Sequence, residues 1–422
     1  MMTFLMKLIL VLMLGMDLAF AETVPDVAFL TIKQGQAAIV DEQIEPYFSL
    51  LQTREMSAKT GTQITGATLG AQRDVCRKRY QAAVQEFSDL EQSALLHVVK
   101  NTHPFLELNY PVFAALPWRF IKVARTIEGG MPFTLGKCIV LSDQVLPMFL
   151  AGEVHPQNPK GLNLLLHEQT HVLQRLHPEL FIPLFVESWG FVHILHAPTA
   201  TADLSVRQLI NPDGISSLWV FPLSNEGRTE VILPQTLLGG DAVLPSLHTD
   251  IMPYALMVEK QGDDYVYLRD ASGGSRSMYL QDARVYSRSF TPSEENFHPN
   301  EICAELFSRM VTLGILQRHE DETPCQQGLR GWASSYLSSN KEHAHEPLPR
   351  MSPPPVEQIV PPRPPNNDEV EHILGKDETL TSVAKGYKVT LKCLIMRNKI
   401  GSTDFAVGIL ISEPCPIRHR RT

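Results

Sequence analysis

The feature that most limits how this chain can fold is a crowd of prolines near its C-terminus. Pro347, Pro349, Pro353, Pro354, Pro355, Pro361, Pro362, Pro364 and Pro365 all fall between residues 343 and 368. Proline lacks an amide donor and fixes φ, so this stretch suits neither a helix interior nor a central strand and reads as a semi-rigid, extended linker. It separates a large body, residues 22–342, from a small module, residues 369–416. With 44% apolar and 20% charged residues in 422, the large body has globular composition. The formal net charge of -9 is spread along the chain, and the one basic run, Arg418-His419-Arg420-Arg421, reads as a solvated terminus, which argues against nucleic acid as a partner.

The N-terminus has the pattern of an export signal. Lys7 precedes an apolar run from Leu8 to Phe20, broken only by Asp17, and Ala19-Phe20-Ala21 offers a small-x-small cleavage site before Glu22. The run is too short to span a bilayer comfortably, and no later stretch reaches transmembrane length. Residues 1–21 are therefore read as a signal peptide, with no transmembrane anchor, and the protein as secreted or periplasmic, a resident of the cell envelope. The cysteines Cys76, Cys138, Cys303, Cys325, Cys393 and Cys415 are even in number, which an exported chain permits to pair, and none forms a CxxC. Cys393 and Cys415 share the terminal module and are candidates for one bridge; connectivity stays open.

Within the large body, Val75, Tyr80, Val84, Phe87, Leu90 and Leu95 recur at near-helical spacing and predict one helix over 72–100. Residues 133–141 predict a strand, and 161–176 a helix ended by His177-Pro178. Short apolar alternations punctuated by Gly262-Asp263-Asp264 and Gly273-Gly274 make 216–290 strand-rich, and 299–316 returns to helix. The fold class is α+β, with a β-rich insertion between two long helices.

The stretch that carries chemistry is Leu164-Leu165-Leu166-His167-Glu168-Gln169-Thr170-His171-Val172-Leu173. Histidines four apart on a helix project from one face, so both imidazoles can reach a single ion at about 2.0–2.1 Å. Glu168, at the edge of that face, is placed to accept a proton from water activated by the ion. Catalytic zinc usually takes three protein ligands, and two candidates compete for the third place. Glu301 sits one helical turn before Glu305, which could orient a ligand histidine. Glu187 comes sixteen positions after His171. The ordinary fate of either carboxylate is solvent. The paired carboxylates favour Glu301.

His167-Glu168-Gln169-Thr170-His171-Val172-Leu173-Gln174 resembles the zincin metallopeptidases, and in particular the gluzincin-like group whose third ligand is a glutamate. Asn300-Glu301-Ile302-Cys303-Ala304-Glu305 is similar to the downstream helix of that group. The resemblance covers about residues 120–316. It implies a zincin-like core binding Zn2+ through His167, His171 and Glu301, with Glu168 as general base, Glu305 as the supporting acid and no ligand role for Glu187. It also implies that the strand at 133–141 is an edge strand that holds an extended peptide substrate. Gly190-Phe191 and Asn211-Pro212-Asp213 resemble segments downstream of the motif in bacterial proteins of this type. The separation between His171 and Glu301 is longer than the group's pattern. His298, Tyr286 and Tyr254 are candidates for stabilising the transition state.

In the small module, Leu380, Val383, Ala384 and Tyr387 predict a short amphipathic helix, Thr390 caps a second through Leu391, Leu394 and Ile395, and Val407 to Ile411 closes as a strand. This βααβ order resembles a LysM domain, which binds peptidoglycan and other N-acetylglucosamine-containing glycans; Asp377 replaces a glycine usual in that family. The expectation is an exported zinc metallopeptidase acting on protein or peptide substrates and tethered to cell-wall glycan, with glycan-binding residues unassigned. A catalytically inactive wall-binding protein and a peptidoglycan cross-link endopeptidase are the alternatives.

Overall fold

The computed structural model describes residues 24–150, 159–214, 218–225, 228–291, 293, 296–338, 370–372 and 409–411. The signal segment, the linker, the two helices expected in the small module, and Cys393 and Cys415 lie outside the described residues. The chain divides into two compact units between Pro354 and Pro355, inside the proline-rich stretch. Of the second unit, two antiparallel strands are described, Val370–His372 and Ile409–Ile411. No described helix is long and apolar enough to cross a membrane.

The large unit is a mixed α+β structure. Strands β1 (Val27–Phe29), β3 (Trp118–Val123) and β5 (Cys138–Ser142) run parallel, β2 (Val84–Gln85) pairs antiparallel with β3, and β4 (Phe133–Leu135) closes the edge antiparallel to β5. Every residue of β5 is buried, as expected of a strand covered on both faces. Phe120, Ile139 and Leu141 face one core with the long helices, while Ile121, Val123 and Val140 face a second core built on Tyr47, Phe48 and Tyr80. The expected single strand over 133–141 is a tight hairpin: Leu135 pairs with Cys138, and the turn needs a positive φ that Gly136 supplies at 56°.

The helix expected over 72–100 is two helices, α3 and α4. After α1 (Ile32–Ala38) and α2 (Thr53–Thr60), α3 spans Leu69–Ala82 and α4 spans Asp89–Asn109. Ser88 restarts the helix. Its hydroxyl accepts from Glu91 N and the Glu91 carboxylate accepts from Ser88 N, a reciprocal cap that ends one helical run and begins another. The intervening β2 pairs Val84 with Val123, so tertiary strand pairing overrode the local periodicity.

The histidine-bearing helix, α5, spans Lys160–Leu176, and the glutamate helix, α6, spans Pro299–Ile315. They pack side by side in the main core: Leu165, Leu166, Val172 and Leu173 of α5 meet Ile302, Leu306 and Phe307 of α6. A last helix, α7 (Pro324–Tyr336), braces this pair. Trp332 Nε1 donates to Leu180 O at 2.7 Å, and Trp189 Nε1 donates to Cys325 O at 3.1 Å. Both indoles are therefore buried at no cost in unmet donors.

Between α5 and α6 lies the second sheet, in the order β10 (Asp264–Tyr267), β9 (Ile251–Gln261), β8 (Arg228–Leu238), β7 (Trp219–Asn225), β6 (Val192–His193), with β11 (Ser277–Tyr279) also on β9. Its alternation has two outlets. Phe221, Ile232 and Met257 join the main core, while Val220, Leu233, Leu256 and Val258 pack a smaller cluster behind. The end of the stretch expected to be strand is instead a short helix, Arg284–Ser289, where Tyr286 and Phe290 pack on Phe221.

Candidate metal centre

Two packed helices bring three donor atoms to one point. His167 Nε2 and His171 Nε2 are 3.0 Å apart, and Glu301 Oε2 lies 3.3 Å from each. Four ligands held tetrahedrally at 2.0–2.1 Å are separated by about 3.3–3.4 Å, so the triangle matches one face of a zinc tetrahedron. Two imidazoles and a carboxylate suit zinc better than calcium or magnesium, which favour all-oxygen shells. Among the described residues these three form the one group of histidine, cysteine and acidic side chains spaced to share an ion.

Two of the three side chains are held in place by hydrogen bonds from outside the triad. His171 is 1% exposed, and its Nδ1 meets Gln174 Oε1 at 2.9 Å. The Gln174 amide nitrogen donates to Asn300 O at 2.9 Å, and a carbonyl only accepts. The amide oxygen must therefore face His171, Nδ1 must carry the proton, and the Nε2 lone pair is left for an ion. Asn211 Nδ2 donates to Glu301 Oε1, which turns Oε2 toward the two imidazoles. Asp213 N donates to Asn211 Oδ1 at 3.1 Å and fixes that amide in turn.

The electrostatics favour positive charge at the site, which a proton on His171 supplies when no ion is bound. Burial by itself would lower the pKa of His171, yet the Glu301 carboxylate, helped by Asp213 and Glu168, raises it to about 10. Burial pushes Glu301 the other way, and the two histidines hold it well below the usual carboxylate range. Asp213 is raised by burial despite its bonds to Thr134 and its proximity to Arg175. Three carboxylates around two imidazoles thus draw positive charge into the site.

The triad opens on a cavity of ≈ 600 Å³ whose lining includes His167, Glu168, Glu301, Glu305, Asn211, Asp213 and Phe133. Glu168 is 3% exposed at this wall, next in sequence to a ligand. Glu305 also lines the cavity and accepts from Ser293 Oγ at 2.6 Å. Glu305 was expected from the sequence to orient a ligand histidine; for His171, Gln174 takes that part.

Glu187 is exposed on the stretch Pro183–Ser188, where its charge acts on Tyr336, and does not join the triad. Tyr286 is fully buried, with its hydroxyl on Asn296 O at 2.6 Å, and Tyr254 stacks on Tyr279 under the Arg207 guanidinium. His298 caps α6 by accepting from Asn300 N at 3.1 Å. None of the three is among the residues that line the cavity.

The edge strand is in the expected place but is not open. Thr134 N and Oγ1 both donate to Asp213 Oδ1 at 2.6 Å, and Arg175 Nη2 faces Thr134 O at 3.5 Å. Arg175 also reaches Pro212 O at 2.7 Å and Glu45 at 2.9 Å, tying the end of α5 to β4 and to the Asn211–Asp213 segment. A peptide cannot pair at Thr134 without displacing these groups.

No family model matches this chain, and neither a curated protein nor a solved structure matches it. The functional reading therefore stands on the geometry of the site.

Proposed function

We propose that the large unit is a zinc-dependent peptidase with a zincin-like core, in which His167, His171 and Glu301 hold the ion and Glu168 is the general base. The observation that carries this is the donor triangle of 3.0 and 3.3 Å edges, set at the wall of a cavity that Glu168 shares. Bound zinc would polarise a scissile carbonyl and make water acidic enough to lose a proton near neutral pH. Glu168 would accept that proton and return it to the leaving amine. Gln174 and Asn211 keep His171 and Glu301 aimed, so little reorganisation accompanies the reaction. The apolar wall beside them, Met131, Phe133, Leu164 and Phe297, limits water around the reacting groups.

The LysM-like reading of the small module, with a peptidoglycan-type glycan as its partner, and export to the cell envelope remain proposals resting on the sequence. The test of the peptidase is metal content with hydrolysis of casein and of quenched-fluorescent peptides, wild type against Glu168→Gln. Wild type should carry one zinc per chain and cleave. Glu168→Gln should keep the zinc and lose on the order of 10²–10⁴ in rate. Equal cleavage by both proteins, or a wild type that binds no zinc, overturns the proposal. Purified peptidoglycan, offered beside casein, separates a cross-link endopeptidase from a general one.

A further inference from the structure

The same cavity has a second polar end that the proposed hydrolysis does not use. Lys59 and Glu128 line it, though they are only 1% and 4% exposed. Lys59 Nζ donates to Glu128 Oε1 at 3.2 Å and to Oε2 at 3.1 Å. The hydroxyls of Tyr47 (2.5 Å) and Tyr80 also donate to Oε1. Glu128 adopts φ 47°, a left-handed conformation unfavourable for a residue with a side chain. Its turn is pinned from outside: His248 Nε2 donates to Gly129 O at 2.7 Å, and Ser142 Oγ donates to Gly130 O at 2.5 Å. A strained carboxylate held by this many partners at a cavity wall is positioned rather than incidental.

The hydrogen-bonding capacity of this end is incompletely used. Glu128 Oε1 takes three donors, but Oε2 takes Lys59 alone. The Lys59 ammonium has three N–H donors and spends two on Glu128. Thr236 also lines the cavity, and its Oγ1 is shielded from solvent with no hydrogen-bond partner among the described residues. Thr236 and Leu238 share one face of β8, and Leu238 packs with Ala58, the neighbour of Lys59, and with Leu247. Leu209, Ile210 and Leu247 make the approach apolar.

Lys59 pairs with Glu128, while the nearby Glu55 carboxyl is met by Gln52 N, Gln208 Nε2 and Ile210 N, so the charges of Lys59 and Glu128 cancel as a pair. An incoming ammonium or carboxylate would leave one charge uncompensated in a nearly dry site. A neutral group with one acceptor and one donor meets the remaining capacity without that penalty. We propose that this end of the cavity is a side-chain subsite for a primary carboxamide, so that the substrate carries glutamine or asparagine at one position near the scissile bond. The amide oxygen accepts from Lys59, the amide nitrogen donates to Glu128 Oε2, Thr236 adds a third contact, and the aliphatic stem lies along Leu209 and Leu247. As a substrate preference this rests on the peptidase reading; as a binding site it does not.

Two measurements on the full chain test it. The first is ligand-observed NMR with butyramide, butylammonium and butyrate against Glu168→Gln protein. Butyramide should bind best, and Thr236→Val, an isosteric change that keeps the fold, should weaken it roughly three- to tenfold. Tighter binding of either ion, or butyramide binding unchanged in both Thr236→Val and Lys59→Met, overturns the subsite. The second is a positional-scanning peptide library cleaved by wild type. Glutamine and asparagine should be selected at one position, and Thr236→Val should flatten that selection. A profile indifferent to carboxamides everywhere overturns the preference. Butyramide binding without any peptide cleavage would leave the subsite standing and remove the peptidase.

Discussion

Gln174 offers the sharpest way to perturb the candidate centre without touching a ligand. Its oxygen receives the His171 Nδ1–H at 2.9 Å and its nitrogen donates to Asn300 O at 2.9 Å. In Gln174→Met the volume is nearly kept, but the His171 N–H loses its acceptor at a residue 1% exposed. An orphaned buried donor costs about 1–3 kcal/mol. The Asn300 carbonyl loses less, because it lies in the first turn of α6 and can still accept within the helix. Removing such a supporting partner from a metal-bound histidine typically costs about 10–100-fold in affinity, or about 1.4–2.8 kcal/mol. Gln174→Glu should behave differently. It keeps an acceptor for His171 and makes the imidazole a better donor of its lone pair, but it sets a carboxylate oxygen against the Asn300 carbonyl. Zinc competition against a chromophoric chelator, with melting curves in parallel, should show both variants less stable. Only Gln174→Met should lose affinity. Equal loss in the two would mean that Gln174 acts through packing, and no loss in Gln174→Met would refute the orienting argument outright.

Other parts of the structure lead to further expected outcomes. Glu301→Ala should lose zinc, while Glu187→Ala, altered at an exposed residue, should retain wild-type stoichiometry by elemental analysis. Burial raises the Glu55 carboxyl to about 7 against the pull of Lys59. Its folded pKa thus exceeds the unfolded value of 4.5, so its contribution is full below pH 4.5 and is lost as pH rises through about 7. That span is worth on the order of 3 kcal/mol. Melting midpoints of wild type should therefore fall relative to Glu55→Gln between pH 4.5 and 7, and parallel curves would show that Glu55 does not titrate there. At Gly328 an added Cβ would stand 2.1 Å from Ser188 Oγ. Gly328→Ala should cost about 1–3 kcal/mol, and adding Ser188→Ala should recover much of it.

What the sequence made legible was what local periodicity and spacing govern. Two histidines on one helical face and a carboxylate in the first turn of a later helix are local statements, and α5 and α6 place them together as those statements require. Gln174 was within reach by the same logic, since it stands one turn beyond His171 on the same face. Asn211 was not. It meets Glu301 from ninety positions away in sequence, through a segment of irregular backbone that no periodicity marks. The helix expected over 72–100 failed for a related reason. Its apolar spacing was real, but Ser88 with Glu91 and the pairing of Val84 with Val123 are a cap and a tertiary contact, and both outrank a hydrophobic repeat.

The position of β4 shows why strand order alone does not define a peptide groove. Its outward amide and carbonyl at Thr134 are met by Asp213 and Arg175, the same two residues that brace the Asn211 segment and the end of α5. Freeing the edge for a substrate would loosen the support of Glu301, so the two uses of Asp213 compete. The chain resolves that competition in favour of the support of Glu301. On the proposed peptidase reading, recognition then falls to side-chain pockets rather than to strand pairing, and the cavity has such a pocket where α2, the Glu128 turn and the end of β8 meet. The insertion between α5 and α6 then supplies one wall of the proposed carboxamide subsite, through Thr236 and Leu247, while α2 and the Glu128 turn supply the other.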